Sequence, residues 1–346
     1  MTPSVHFAVG IILVALFFDF VNGLHDSANS IATVVSTRVL RPAWAVVWAA
    51  CFNFVAFALL GTRVAKTIAT GMVDIKQIDP QWQLWVLLCG LLGAITWDVI
   101  TWYAGLPTSS SHALVGGYGG AAVAAFHGIS GVLKPEGWIK MVAFIFISPV
   151  LGLILGHTIL LAISWICRRW TPKQVDGVFR KGQLLSAAMY SIGHGGADAQ
   201  KTMGIIAAVL VAANLNRSAH TEIPLWVVLS CHAAMALGTL SGGWRIVHTM
   251  GARLTKLKPL GGFSAESAGA ATLFLAVFGG IPVSTTHTIG GAIVGVGALQ
   301  RVKAVRWALA SRILWAWVLT IPCSALVAAL LFFLVRLIHH LGGGGS

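Results

Sequence analysis

Charge is what this chain has least of. Only 10% of its 346 residues are charged, and ten acidic side chains stand against 23 lysines and arginines. A soluble domain carries roughly 25% charged residues, so a water-facing globule is excluded. Cysteine is sparse too: Cys51, Cys89, Cys167, Cys231 and Cys323 are isolated and mostly sit inside apolar runs. No CxxC pair or histidine-spaced ligand set occurs, which removes a disulfide framework and a zinc site. Isolated cysteines of this kind read as small buried hydrophobes. No basic region with a cleavage site opens the chain, so its first apolar segment is expected to be a retained helix.

What the chain has is apolar length. Hydrophobic residues make up 57% and the mean hydropathy is +0.84. Long apolar runs cover His6 to Phe18, Trp85 to Ile95, Met141 to Ile166, Leu225 to Leu240 and Ala308 to Leu334. With shorter Gly-interrupted segments between them, they predict an all-α polytopic membrane protein of about ten to twelve transmembrane helices and half-helices. The net charge of +13 gathers in short connections: Arg168, Arg169, Lys173, Arg180 and Lys181, then Arg245, Arg253, Lys256 and Lys258, then Arg301, Lys303 and Arg306. Basic loops fit the positive-inside bias, not a nucleic-acid face, and put the central connection, 168–182, in the cytoplasm. The terminal run at 341–346 resembles an added Gly/Ser linker and stands apart from the fold.

The central connection divides the chain into 1–167 and 183–340, and each half carries the same two motifs in the same order. GLHDSANS at Gly23 and GHGGADAQK at Gly193 are acidic and Gly-bracketed. GLPTSSSHALVGG at Gly105 and GIPVSTTHTIGGA at Gly280 are hydroxyl clusters at a Pro-led helix start, 175 positions apart. From Asp26 to Pro107 is 81 residues and from Asp198 to Pro282 is 84. Two motifs repeated in order at near-equal spacing point to internal duplication. If each half holds an odd number of crossings, the repeats run inverted and a site forms between them near the midplane.

Several of the few acids, Asp19, Asp26, Asp98, Asp198 and Glu266, lie within or beside strongly apolar segments. A carboxylate at membrane depth is costly, so such acids face a cavity and a partner. Asp19, Asn22 and Asp26 share a helical face by their spacing, although Gly23 is expected to interrupt that helix. Asp19 and Asp98 could equally cap or pair within the bundle. The motif glycines allow unwound stretches whose backbone faces a ligand; a simple helix kink is the plainer alternative. At the hydroxyl motifs, helices starting near Ser109 and Ser284 would aim free N–H groups and positive dipole ends into a cavity. Ser109, Ser110, Ser111, Ser284, Thr285 and Thr286 then form a donor cage suited to a tetrahedral oxyanion. An anion beside Asp26 and Asp198 needs compensation beyond Lys201, hence co-bound cations or protons held by Asp26, Asn29, Asp198 and hydroxyl oxygens. His25, His112, His194 and His287 border the motifs and could carry protons.

GLHDSANSIATVVSTRVL, TWDVITWYAGLPTSSSHALVGG, SIGHGGADAQKTMG, GGFSAESAGA and GIPVSTTHTIGGAIVG together resemble the inorganic phosphate transporter (PiT) family, over roughly residues 5 to 335. The HDSAN form is similar to the bacterial branch. The resemblance implies a proton- or sodium-coupled phosphate symporter without a cofactor, built as twelve segments in inverted repeats. It also implies a homodimer in the inner membrane. It assigns phosphate and cation sites to Asp26, Asn29, Thr33, Ser109 to Ser111, Asp198, Lys201 and Ser284 to Thr286, with coupling also at Glu266; sodium would sit at Asp26, Asn29 and Asp198. The bordering His112 and His287 join the candidates for the coupling proton. Ala197 stands where the family's second acidic motif has asparagine, which takes one amide ligand away; restoring Asn there is expected to raise uptake. Alternatives are another oxyanion or a metal–phosphate complex as substrate, an intramembrane hydrolase, and an anion channel. The hydrolase reading lacks a third orienting acid beside any Ser/His pair.

Overall fold

The computed structural model describes residues 5–342, so most of the terminal run expected to be a linker lies outside the described residues. Twelve α-helices form: α1 Val5–Ser36, α2 Pro42–Leu59, α3 Arg63–Gly71, α4 Pro80–Tyr103, α5 Ser110–Phe126, α6 Pro135–Ile166, α7 Pro172–Ala212, α8 Leu225–Ser241, α9 Trp244–Val247, α10 Pro259–Phe278, α11 Thr285–Gln300 and α12 Trp307–Leu341. A π-helical segment, His248–Leu254, continues α9. No β-strand forms among the described residues. Proline opens α2, α4, α6, α7 and α10, where its fixed φ suits a helix start and its missing N–H is not needed.

Among the described residues, six helices (α1, α2, α4, α6, α10, α12) are long and apolar enough to cross a membrane, and the bent pair of α8 with α9 and its extension would make seven. Large apolar side chains cover the outside, among them Phe17, Phe146, Leu161, Leu330 and Phe333. Exposed apolar surface on that scale would drive association in water and is matched by lipid hydrocarbon. This is an integral membrane protein.

Two sequence expectations change here. The central basic segment is helix rather than loop from Pro172 onward, because Thr171 and Gln174 form a reciprocal capping box there. The acidic motifs are not unwound either; α1 and α7 run through them without a break. Their glycines serve close packing instead. A Cβ at Gly23 would overlap the Met235 carbonyl of α8, and one at Gly195 would overlap the backbone of Asn53 in α2.

The packing is written twice. Helix α1 lies on α8 while α7 lies on α2; α5 lies on α12 while α11 lies on α6; α4–α5 and α10–α11 form hairpins. α1 and α7 run antiparallel, as shown by Thr37 meeting Gln183, Ser30 meeting His194 and Asp26 gathering with Asp198. Each therefore offers one polar stripe to the middle of the molecule. Asp19, Asn22, Asp26, Asn29 and Thr33 recur at helical spacing on α1, and Gln183, Ser186, Tyr190, His194, Asp198 and Lys201 do so on α7, all of them buried.

Candidate functional site

The hairpin tips bring hydroxyls to those stripes. Between α4 and α5, Gly105 takes φ +65°, and between α10 and α11, Gly280 takes φ +66°, the left-handed conformation glycine adopts without strain. Each chain then straightens through a proline into a capped helix. Ser109 accepts a hydrogen bond from the His112 N–H at 3.3 Å, and Ser284 accepts one from His287 at 3.2 Å. The expected helix starts stand, with Ser109 and Ser284 acting as caps. That leaves Ser110, Ser111, Thr285 and Thr286 in the first turns, where unpaired N–H groups and the positive dipole end lie.

Each tip is fastened from outside by the other half. Arg245 donates to the Tyr103 carbonyl and stacks over the Tyr103 and Trp102 rings, while Thr249 donates to the Gly105 carbonyl at 2.9 Å. Correspondingly, Arg63 donates to the Phe278 carbonyl and Thr67 to the Gly280 carbonyl at 2.8 Å. Tyr190 supports α11 by donating to the Thr285 carbonyl, and the Trp317 indole donates to the Pro107 carbonyl.

At the centre, Asp198 gathers most of the expected residues. Lys201 donates to its Oδ1, to Ser111 Oγ and to the Val283 carbonyl. The Thr285 hydroxyl donates to Asp198 Oδ2 at 3.1 Å, and His194 Nε2 lies 3.3 Å from the same oxygen. The Asn29 amide donates to Thr286 at 2.9 Å and to Thr285 at 3.3 Å. Thr286 reaches Asp26 Oδ1 at 3.5 Å, and His25 Nδ1 lies 2.8 Å from that oxygen. Asp26, His194 and Asp198 offer ligand atoms within 4.8 Å of one another, an arrangement able to hold a cation. His112 and His287 meet ring edge to face at 4.7 Å, and His287 stacks on Trp317. Every one of the central side chains is at most 3% exposed, so the site is closed to water.

Glu266 and Thr33 lie apart from this centre. Thr33 donates to Glu266 at 2.6 Å, Gln183 donates at 2.9 Å, and Ser186 completes the cluster. Ser110 Oγ has no hydrogen-bond partner. The sequence reading missed Gln183 and Ser186 entirely, and it missed Thr101 and Thr108, which meet His25 Nε2 at 3.1 and 3.3 Å. Their signal lay in the α7 spacing and, for Thr108, inside the hydroxyl motif itself. Ala197 corrects a further expectation. Its methyl lies in an apolar cluster with Ala56, Leu60, Ile192 and Val277, so an amide there would meet hydrocarbon rather than supply a ligand.

Residues 22–328 match the model of the phosphate transporter family. The chain belongs to that family. Over 330 residues it is 56% identical to a Rhizobium meliloti (strain 1021) protein named "Probable low-affinity inorganic phosphate transporter", covering 95% of this chain and 97% of that one. A Bacillus subtilis (strain 168) protein of the same name is 45% identical over 328 residues, with 95% and 97% covered. Among solved structures, "The sodium-dependent phosphate transporter" superposes with a TM-score of 0.87 at 24% identity, covering 96% of this chain and all of that one. For a phosphate transporter family member, the donor set is apt. The hydroxyls of Ser111, Thr285 and Thr286, the Lys201 ammonium and two helix starts lie together, and groups of this kind are the donors that phosphate oxygens accept from.

Proposed function

We propose that this protein is a secondary active symporter that carries inorganic phosphate with a cation across the cytoplasmic membrane by alternating access. The observation that carries this reading is who donates to whom at the centre. The hydroxyls of Ser111, Thr285 and Thr286, which a phosphate would need as donors, are within reach of the carboxylates of Asp198 and Asp26. A cation taking those carboxylates frees the three hydroxyls to turn toward the anion, and its charge offsets the repulsion of anion by anion in a water-poor site. Phosphate and cation therefore each create the other's site. That is coupling by shared ligands. The likeness of the fold to a sodium-dependent transporter and the names of the bacterial relatives support it.

On this reading the two halves are inverted repeats, with α4–α5 and α10–α11 as hairpins entering from opposite faces and α7 and α8 completing the spans. The site needs residues of both halves, and Asp26, Asn29 and Asp198 hold the cation. Glu266, with Thr33, serves coupling from its own cluster. The protein acts as a homodimer in the bacterial inner membrane and performs no chemistry on its substrate. Uptake of radiolabelled phosphate into proteoliposomes, with sodium and pH gradients imposed separately, tests this. Accumulation above equilibrium under one of the two gradients is expected, and purely downhill equilibration would overturn symport.

A further inference from the structure

A cavity of about 530 Å3 lies between α6, α11 and α12, outside the central site. Volumes of roughly 300–1,000 Å3 are those of pockets that bury a small molecule. Its walls are apolar, with Ser311 the one hydroxyl among them, and the lining side chains Phe146, Leu314 and Val318 are exposed. The cavity therefore opens toward the hydrocarbon of the bilayer. At one end the wall is made by Leu254 of the π-helical segment and Trp307 of α12, where the Arg306 N–H donates to the Leu254 carbonyl at 3.1 Å. A Cβ at Gly297 would overlap Thr255 and Val305, so α11 ends against the same junction. Arg253, Lys256, Arg301, Lys303 and Arg306 stand around it, all exposed. No carboxylate pairs with any of them among the described residues, and 242–258 and 301–312 hold no Asp or Glu. The half-exposed Trp307 ring, donating to the Val302 carbonyl at 2.9 Å, marks the level where apolar wall gives way to cations.

An apolar slot that ends at unanswered cations matches an amphiphile with an anionic head. We propose that this cavity binds an anionic phospholipid, with one acyl chain between α6, α11 and α12 and its phosphate among Arg253, Lys256 and Arg306. The Phe179 and Phe263 rings meet at 5.3 Å, which sets the start of α10, and with it this basic end, beside the start of α7. That is the face the positive-inside bias assigns to the cytoplasm, where anionic headgroups attract basic side chains. A second copy packed on the same face, about a twofold axis along the membrane normal, would set these cations against their own likes. A lipid is the occupant the charges favour. The cavity also touches supports of the central site: Pro107 and Trp317 line it, and the Trp317 indole donates to the Pro107 carbonyl at 2.8 Å and stacks on His287. An acyl chain there packs against the backing of both hydroxyl turns. Its binding depends on the chain lying in a membrane and not on what the chain carries.

Native mass spectrometry of the purified protein in detergent, titrated with phosphatidylglycerol or with phosphatidylcholine of identical acyl chains, is the test. One variant, Ala310→Phe, fills the cavity from α12; the other, Arg253→Gln with Arg306→Gln, leaves it open and removes two cations. Wild-type protein is expected to hold one phosphatidylglycerol per chain, roughly tenfold or more tightly than phosphatidylcholine. Ala310→Phe should lose that tightly held lipid, and the double variant should bind both lipids alike. Equal binding of the two lipids by wild-type protein would overturn the site, as would a phosphatidylglycerol preference that survives in either variant. A dimer that Ala310→Phe dissociates, with lipid binding unchanged, would give the cavity to a second copy and overturn it too. Should Ala310→Phe fail to fold, the double variant, altered only at exposed side chains, decides the matter alone.

Discussion

At the scale of single residues, the Lys201–Asp198 pair has the most at stake. Both side chains are sealed from water, and the lysine joins Ser111 of α5 to the Val283 carbonyl before α11. Removing one partner of a buried pair costs about 3–5 kcal/mol, because the survivor's charge is left uncompensated. Lys201→Met should therefore lower the melting temperature in detergent and abolish phosphate binding. The double variant Lys201→Met with Asp198→Asn should regain much of the stability and none of the binding. Recovery of binding in the double variant would show that the lysine is structural only. Ala197 gives an opposite kind of expectation. Ala197→Asn buries an amide among Ala56, Leu60, Ile192 and Val277 and should destabilise by about 1–3 kcal/mol without raising uptake. Faster uptake in matched vesicles would return the missing-ligand idea to life.

At the scale of elements, the alternating-access proposal makes the two hairpin tips and their clamps its moving parts. Arg63 and Thr67 hold the Gly280 tip, and Arg245 and Thr249 hold the Gly105 tip. With both fastened, the central side chains are buried. Arg63→Ala and Arg245→Ala should each increase labelling of a single cysteine placed at Ser110, in a background without native cysteines, and from opposite faces of the membrane. Increases from the same face in both variants would show that the clamps are not opposed gates. The caps are a milder matter: Ser284→Ala should cost about 1 kcal/mol, read as a small melting shift, with the α11 start intact. Much of this was legible in the sequence. Pro, Ser and Thr in GLPTSSS and GIPVSTT carry their own local instruction, since a proline and a capping hydroxyl set a helix start whatever surrounds them. The acidic motifs misled because glycine has two meanings. It permits unwinding, and it permits contact, and only the partner backbones at Met235 and Asn53 show that contact prevails. Gln183 and Ser186 were invisible for a similar reason: their role exists only because Glu266 packs against them.

At the scale of the whole molecule, the site belongs to neither half. Asp26 and Asn29 come from α1, Asp198 and Lys201 from α7, Ser111 from α5, and Thr285 and Thr286 from α11. The duplicated sequence announced two copies of a motif, but a chain read linearly does not say that the copies face one another. The antiparallel meeting of α1 and α7 does that. The central claim is that phosphate sits between the two hydroxyl turns in the company of a cation. An experimental map of the protein with phosphate and Na+ tests it most directly. It should show a tetrahedral anion within hydrogen-bond reach of Ser110, Ser111, Thr285 and Thr286, and an ion against the carboxylates of Asp26 and Asp198. Phosphate bound elsewhere, with those turns still joined to the carboxylates, would contradict it.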